Sequence, residues 1–134
     1  MIDVVCGVIE NAAGEFLACR RPLGKHLGGL WEFPGGKVDP KESPENALVR
    51  ELREELRVEL RVEVEVGVSM KPVLWTYDDK AIRLLPFRCR IAHGIPQAVE
   101  HEAILWCRPE KFGELCWADA DIPVIREIFP DFGQ

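Results

Sequence analysis

Residues 22–58 narrow the possible folds more than any other stretch of this chain. A run dense in glycine and proline, from Pro22 to Glu42, leads directly into a segment with helical spacing, and at Val58 the spacing changes to strict alternation. A loop that long inside a compact domain is usually functional. Ser43 is a good N-cap, and Pro44 suits the first helical position, where its missing N–H costs nothing. Leu48, Val49, Leu52 and Leu56 then recur at helical spacing and form one apolar stripe. Beyond them Val58, Leu60, Val62, Val64, Val66 and Val68 alternate with Glu59, Arg61, Glu63 and Glu65, the pattern of a half-buried strand. The chain therefore has to lay an amphipathic helix against a sheet and leave a long loop exposed at the junction.

The remaining segments complete a mixed architecture. Val4–Ile9 and Phe16–Cys19 read as strands joined by the turn chemistry of Asn11-Ala12-Ala13-Gly14. Val73–Tyr77 and Ala81–Ile91 read as a hairpin around Asp78-Asp79-Lys80, with Pro86 implying an edge position or a bulge. His93-Gly94-Ile95-Pro96 breaks the chain before a strand at Ala103–Cys107. Two short helices follow, one opened by Pro109 and one capped by Asp121 ahead of Pro123. The sum is an α/β (α+β) sandwich, a mixed β-sheet flanked by helices, and the length predicts one domain over residues 1–134.

Charge and cysteine usage exclude several classes. A net charge of −6 argues against a nucleic-acid polymer as partner, because phosphate backbones are held by clustered Lys and Arg. It leaves room for a small anionic substrate whose contact is mediated by metal ions. Cys6, Cys19, Cys89, Cys107 and Cys116 are scattered without a Cys-x-x-Cys pair, which predicts core packing for most of them rather than a zinc site or disulfide framework. No stretch approaches the roughly 18 apolar residues of a membrane span, and the start of the chain lacks signal-peptide features, so the expected compartment is the cytoplasm. Trp75, Trp106 and Trp117 leave room for an apolar contact patch without fixing an oligomeric state.

The chemistry concentrates on the helix. Glu51, Glu54 and Glu55 stand at i, i+3 and i+4, on one side and roughly opposite Leu48 and Leu52. Like charges at that spacing destabilise a helix by a few tenths of a kcal/mol per pair. Divalent cations would relieve that cost, since carboxylate oxygens are the ligands hard Mg²⁺ prefers. The competing interpretation is a solvated face on which Arg50 pairs with Glu54. The loop just before the helix favours the first, because Pro34-Gly35-Gly36-Lys37 lets backbone approach a ligand closely and offers it N–H and C=O groups.

Read together, Gly36, Glu42 and the run Arg50-Glu51-Leu52-Arg53-Glu54-Glu55-Leu56-Arg57-Val58 resemble the signature of the Nudix hydrolase family. The fixed positions match apart from one glycine, replaced by Arg57. That residue either continues the helix or accepts left-handed backbone. Arg20-Arg21-Pro22, His26, Gly28–Lys37, Glu100-His101-Glu102, Trp106 and Ala118–Pro123 extend the resemblance to the MutT-like branch over most of the chain.

The resemblance implies a Nudix fold and a Mg²⁺-dependent hydrolase, with Mn²⁺ as a possible substitute. Glu51, Glu54, Glu55 and the Gly35 carbonyl would hold metal, and Glu100 would complete the site. Arg50 and Glu42 would brace loop against helix, while Glu51 or Glu100 would orient and deprotonate the attacking water. Arg21, Lys37 and Lys80 would meet the substrate, with Phe33 and Asp121 at the base; Asp121 would also be free to cap its helix. His26 and His101 are expected to be surface or structural residues. The implied reaction converts a nucleoside triphosphate to a monophosphate and pyrophosphate. Oxidised purines such as 8-oxo-dGTP come first and cytidine triphosphates, including 5-substituted dCTP, close behind. Sanitation of the nucleotide pool, and so DNA repair, is the implied role. A nucleotide-sugar or ADP-ribose pyrophosphatase, suggested by Pro72, and a non-catalytic Nudix-like recognition module remain as alternatives.

Overall fold

The structure, a computed structural model, describes residues 1–62 and 70–133. Its strands are β1 (Ile2–Ile9), β2 (Phe16–Arg20), β3 (Trp31–Glu32), β4 (Gly35–Lys37), β5 (Glu59–Val62), β6 (Val73–Tyr77), β7 (Lys80–His93) and β8 (Ala103–Cys107). Its α-helices are α1 (Pro44–Leu56) and α2 (Ile122–Ile128), and Pro109–Glu114 and Asp119–Asp121 are 3-10 turns. One sheet runs β4-β1-β7-β5 with β6 also paired to β7, and β1 is parallel to β7 while the other pairs are antiparallel. A second, antiparallel sheet runs β3-β2-β8. The expected sandwich of mixed sheet and helices is what forms.

Alternation along β1 and β2 decides which residue faces which layer. Val5 and Ile9 of β1, with Leu17 and Cys19 of β2, join Ala47, Leu48, Leu52 and Leu56 of α1 in one core. Cys6 and Val8, with Phe16 and Ala18, join Phe33, Phe112, Trp117, Val124 and Ile125 in the other. Both strands are thus covered on both faces, which explains their unbroken apolar runs. Four of the five cysteines are buried and none is in a disulfide, as their apolar settings predict. Trp117 belongs to the core and Trp75 is exposed, so the tryptophans form no common contact patch.

Helix α1 begins as its sequence dictates: the Ser43 hydroxyl accepts from the Asn46 N–H at 3.2 Å, with Pro44 in the first turn. It ends in left-handed backbone at Arg57 (φ 59°, ψ 39°), whose N–H donates to the Arg53 carbonyl. Of the two options for Arg57, the chain takes the strained one, in the position where glycine is ordinarily found. Strand β5 follows as the alternation predicts, while the part of that alternating run from residue 63 to 69 lies outside the described residues.

Several expectations need correcting. The 22–42 segment is not wholly loop, because β3 and β4 form inside it; β4 pairs with β1 through Val4↔Lys37, Val5↔Gly36 and Cys6↔Gly35. Lys80 opens β7 opposite Tyr77, so the hairpin turn is Asp78-Asp79, with Asp78 at φ 52°. Pro86 lies within β7, a strand paired on both sides elsewhere, and stands opposite Cys6 with no bulge there. The Cys89 carbonyl accepts from Glu10 of the β1 side, so alternation turns the Pro86 nitrogen to the opposite side. There β6 pairs only as far as Leu84 and β5 only from Cys89, leaving no ladder bond for the proline to break among the described residues. The helix opened by Pro109 is a 3-10 turn, and Asp121 precedes α2 without capping it through its side chain.

Candidate active site

Strand β4 is a wall with a different chemistry on each side. Toward α1, a Cβ at Gly36 would stand 2.5 Å from the Glu51 carboxyl carbon and 2.6 and 2.7 Å from its oxygens. Any side chain there would displace Glu51, so the glycine is a seat for that carboxylate. A Cβ at Gly35 would run into the Val5 carbonyl, which is why β1 and β4 can approach so closely. On the other side a cavity of about 700 Å³ opens, and Gly35 and Gly36 line it together with Arg21, Phe33, Lys37, Tyr77, Lys80 and Asp121.

The helix presents its three glutamates unequally. Glu54 is exposed, Glu51 is half-buried, and Glu55 is buried, so the acid stripe rolls under the protein rather than lying opposite Leu48 and Leu52. Arg50 braces loop to helix. Its Nη2 lies 2.6 Å from Glu42 Oε1, its Nε 3.1 Å from Glu42 Oε2, and Nη2 also donates to the Lys37 carbonyl at 3.2 Å. The same guanidinium reaches Glu51 at 3.0 Å and Glu54 at 3.6 Å, so the pairing expected of a solvated face coexists with the brace. Bonding to Arg50 holds the Glu42 carboxyl below its usual range.

Glu55 is the least satisfied acid in the site. Its Oε2 is buried without a hydrogen-bond partner, and Glu32, Glu51 and Glu100 all bear on it. Burial first, and then the charge of Glu32, pushes its carboxyl up to about 9, with Glu51 hydrogen-bonded to it. Burial raises Glu51 as well, against the pull of Arg50. Among the described residues no three His, Cys, Asp or Glu side chains already encircle an ion position. The donor set nonetheless fits a hard divalent cation: carboxylate oxygens, one of them buried and unpartnered, beside a glycine cradle. Glu100 is exposed on the loop before β8, and that loop is tied to the end of α1 by Gln97 N–H to the Leu56 carbonyl at 3.0 Å and Val99 N–H to the Glu55 carbonyl at 3.3 Å.

The cavity side is built from distant segments. Asp121 is buried, and its Oδ1 accepts from the Phe33 N–H at 3.1 Å, which replaces the capping role expected of it. Burial and the charge of Glu32 push its carboxyl well above the carboxylate range, against that hydrogen bond. The Phe33 ring packs on Trp117, with centroids 5.1 Å apart. Arg21 lies at the rim, its Nε donating to the His26 carbonyl at 2.8 Å and its Nη1 meeting Glu32 at 3.3 Å. His26 is exposed and stands edge-on to Tyr77, whose hydroxyl accepts from the Ala120 N–H. Lys37 and Lys80 are exposed at the mouth.

Sequence reasoning missed Glu32 as a site residue. It accepts from Arg21 on one side and from His101 Nε2–H at 3.0 Å on the other, and its charge acts on both Glu55 and Asp121. Its one signal was a charged residue between Trp31 and Phe33, where burial is paid only for a reason.

The NUDIX domain family matches this chain over residues 2–132. A CTP pyrophosphohydrolase of Escherichia coli (strain K12) is 43% identical over 126 residues, 94% of this chain and 90% of that protein. An 8-oxo-dGTP diphosphatase of Proteus vulgaris is 46% identical over 52 residues, 39% of this chain and 46% of the relative. The solution structure of the E. coli ORF135 protein superposes with a TM-score of 0.80 and 40% identity, covering 97% of this chain and 89% of that one. With a loop–helix acid face, a cavity behind it and a match along nearly the whole chain, this protein belongs to the NUDIX domain family and is a Nudix hydrolase.

Proposed function

We propose that the protein is a Mg²⁺-dependent nucleoside triphosphate pyrophosphohydrolase, converting a (d)NTP and water to a (d)NMP and pyrophosphate. The observation that carries this reading is the shared wall at Gly35 and Gly36, with the glutamates on one side and a largely apolar cavity on the other. A nucleotide laid across it would keep its base in the cavity and its phosphates at the acids. A divalent cation held by Glu51, Glu54, Glu55 and the Gly35 carbonyl, completed by Glu100, would neutralise phosphate charge and acidify a water. Arg50 and Glu42 keep the loop seated on the helix. Glu51 or Glu100 takes the proton of the attacking water. Arg21, Lys37 and Lys80 meet phosphate oxygens, and Phe33 and Asp121 border the base.

For the base, cytidine triphosphates stand first, because the CTP pyrophosphohydrolase is alike over 94% of this chain. 8-oxo-dGTP stands second, supported by the match to an 8-oxo-dGTP diphosphatase. This reverses the order the sequence suggested. The reading makes residues 1–134 one catalytic domain acting on the cytoplasmic nucleotide pool. A side-by-side kcat/KM comparison of CTP, dCTP, 8-oxo-dGTP and dGTP decides the base. Glu51→Gln and Glu54→Gln should each lower Mg²⁺-dependent turnover by about 10²–10⁴-fold while the fold persists. Full activity in both variants overturns the assignment.

A further inference from the structure

We propose that His101 is a positioning residue, a latch whose imidazole, held by Glu32, seats the Glu100 loop against the acid face. The inference rests on the reading of that face as the hydrolytic site. Within the run Glu100-His101-Glu102 the two glutamates are exposed, while the histidine between them is turned inward with its side chain 6% exposed. Its Nε2–H donates to Glu32 Oε2 at 3.0 Å. Its Nδ1 is buried and has no partner, so the ring is held there at a cost that outward rotation would avoid.

The backbone around it supplies fixed points on either side. Val99 N–H is shared between the Gln97 carbonyl at 3.0 Å and the Glu55 carbonyl at 3.3 Å, and Glu102 N–H donates to the Arg20 carbonyl at 2.9 Å, so the loop bridges the end of α1 and strand β2. Glu100 lies between these anchors and makes no hydrogen bond of its own among those described, yet its charge acts on Glu55, so its position rests on how its neighbours in the loop are held. Glu32 is suited to be that anchor, because β3 pairs it with Cys19 and Arg21 grips the same carboxylate from the other side. One carboxylate thus fixes both the arginine at the cavity rim and the loop that carries the distal acid.

The test combines amide exchange with a double-mutant cycle. In His101→Ala, exchange at the Gln97 and Val99 amides should accelerate about tenfold or more, with β2 amides unchanged. The kcat should fall about 10–100-fold with little change in KM. His101→Gln, which restores a donor of similar reach, should recover both, whereas the shorter His101→Asn should not; that pair serves if alanine prevents folding. In a Glu100→Gln background the His101 substitution should cost little more, because both act through one group. Wild-type exchange at Gln97 and Val99, or a kcat loss that adds in full to that of Glu100→Gln, overturns the latch. If instead Glu51→Gln and Glu100→Gln both turn over as wild type, the reading of the acid face falls and the proposal falls with it.

Discussion

Glu55 and Asp121 are both buried carboxyls, both raised by burial and by the charge of Glu32, and yet they stand in opposite situations. Asp121 is answered by the fold, since the Phe33 N–H reaches its Oδ1 and its other surroundings are cavity wall. Glu55 is left with one oxygen unpartnered and three glutamates bearing on it. A buried acid with a neutral donor is stable as a hydrogen-bonding group. A buried acid among other acids is a standing demand for positive charge. The difference separates the two sides of the β4 wall: the fold answers the carboxyl on one, and on the other it leaves an acid that a bound cation would answer.

Among tests of this comparison the largest expected effect comes from damaging the wall itself. Gly36→Ala pushes a methyl into the Glu51 carboxylate and should lower kcat/KM by about 10²-fold, because misplacing a reacting group by about 1 Å costs that much. Wild-type turnover in this variant would remove the acid side from the comparison. Glu55→Gln sharpens it next. Near neutral pH and without divalent cation this variant should be more stable than wild type by about 1–3 kcal/mol, since glutamine is neutral without the proton that the raised carboxyl must take up on folding. The rise in Tm that Mg²⁺ gives the wild type should shrink in the variant, and an undiminished rise would show that Glu55 is not where the cation acts.

Asp121→Asn probes the other side through pH. A carboxyl raised in the folded state keeps a proton that the unfolded chain releases above about pH 4. Its contribution is therefore fully present below that value and is lost as pH rises toward the folded pKa. Wild-type stability should decline over this window, and the asparagine variant should flatten the decline while Mg²⁺-dependent stabilisation stays as in wild type. An unchanged slope would place the titration elsewhere. The smallest effect belongs to Arg57→Gly, a change at the end of the helix that carries Glu55. It relieves left-handed backbone and should stabilise by about 1 kcal/mol in chemical denaturation, with kcat unaltered.

The acid side was legible in the sequence because its determinants are local. Ser43, Pro44 and the leucine stripe define a helix without reference to the rest of the chain, and the glutamates follow from its repeat. The cavity side was only partly legible, because its walls are made by pairings between distant segments. Nothing near Asp121 announces that its partner is the backbone of Phe33, so local grammar suggested a helix cap instead. Gly35–Lys37 reads as loop until β1 arrives to pair with it. Pro86 marks a stretch of β7 left unpaired on one side among the described residues, but the sequence does not show that β6 stops before it and β5 starts after it. Glu32 owes its place to two partners far apart in the chain, Arg21 and His101.

The parallel pairing of β1 with β7 also constrains how the molecule is made. Ile2 meets Ile82 and Val4 meets Leu84, and all four line the cavity, so that wall joins the beginning of the chain to its second half. During synthesis the loop and α1 emerge early and can pack on β1 and β2. The cavity cannot close until β7 has left the ribosome. Closing so long a loop is entropically slow, and non-local pairing of this kind sets the pace of folding. The acid-bearing helix and its supporting strands would thus precede the cavity in time, and a chain arrested before Ile82 would carry the first without the second.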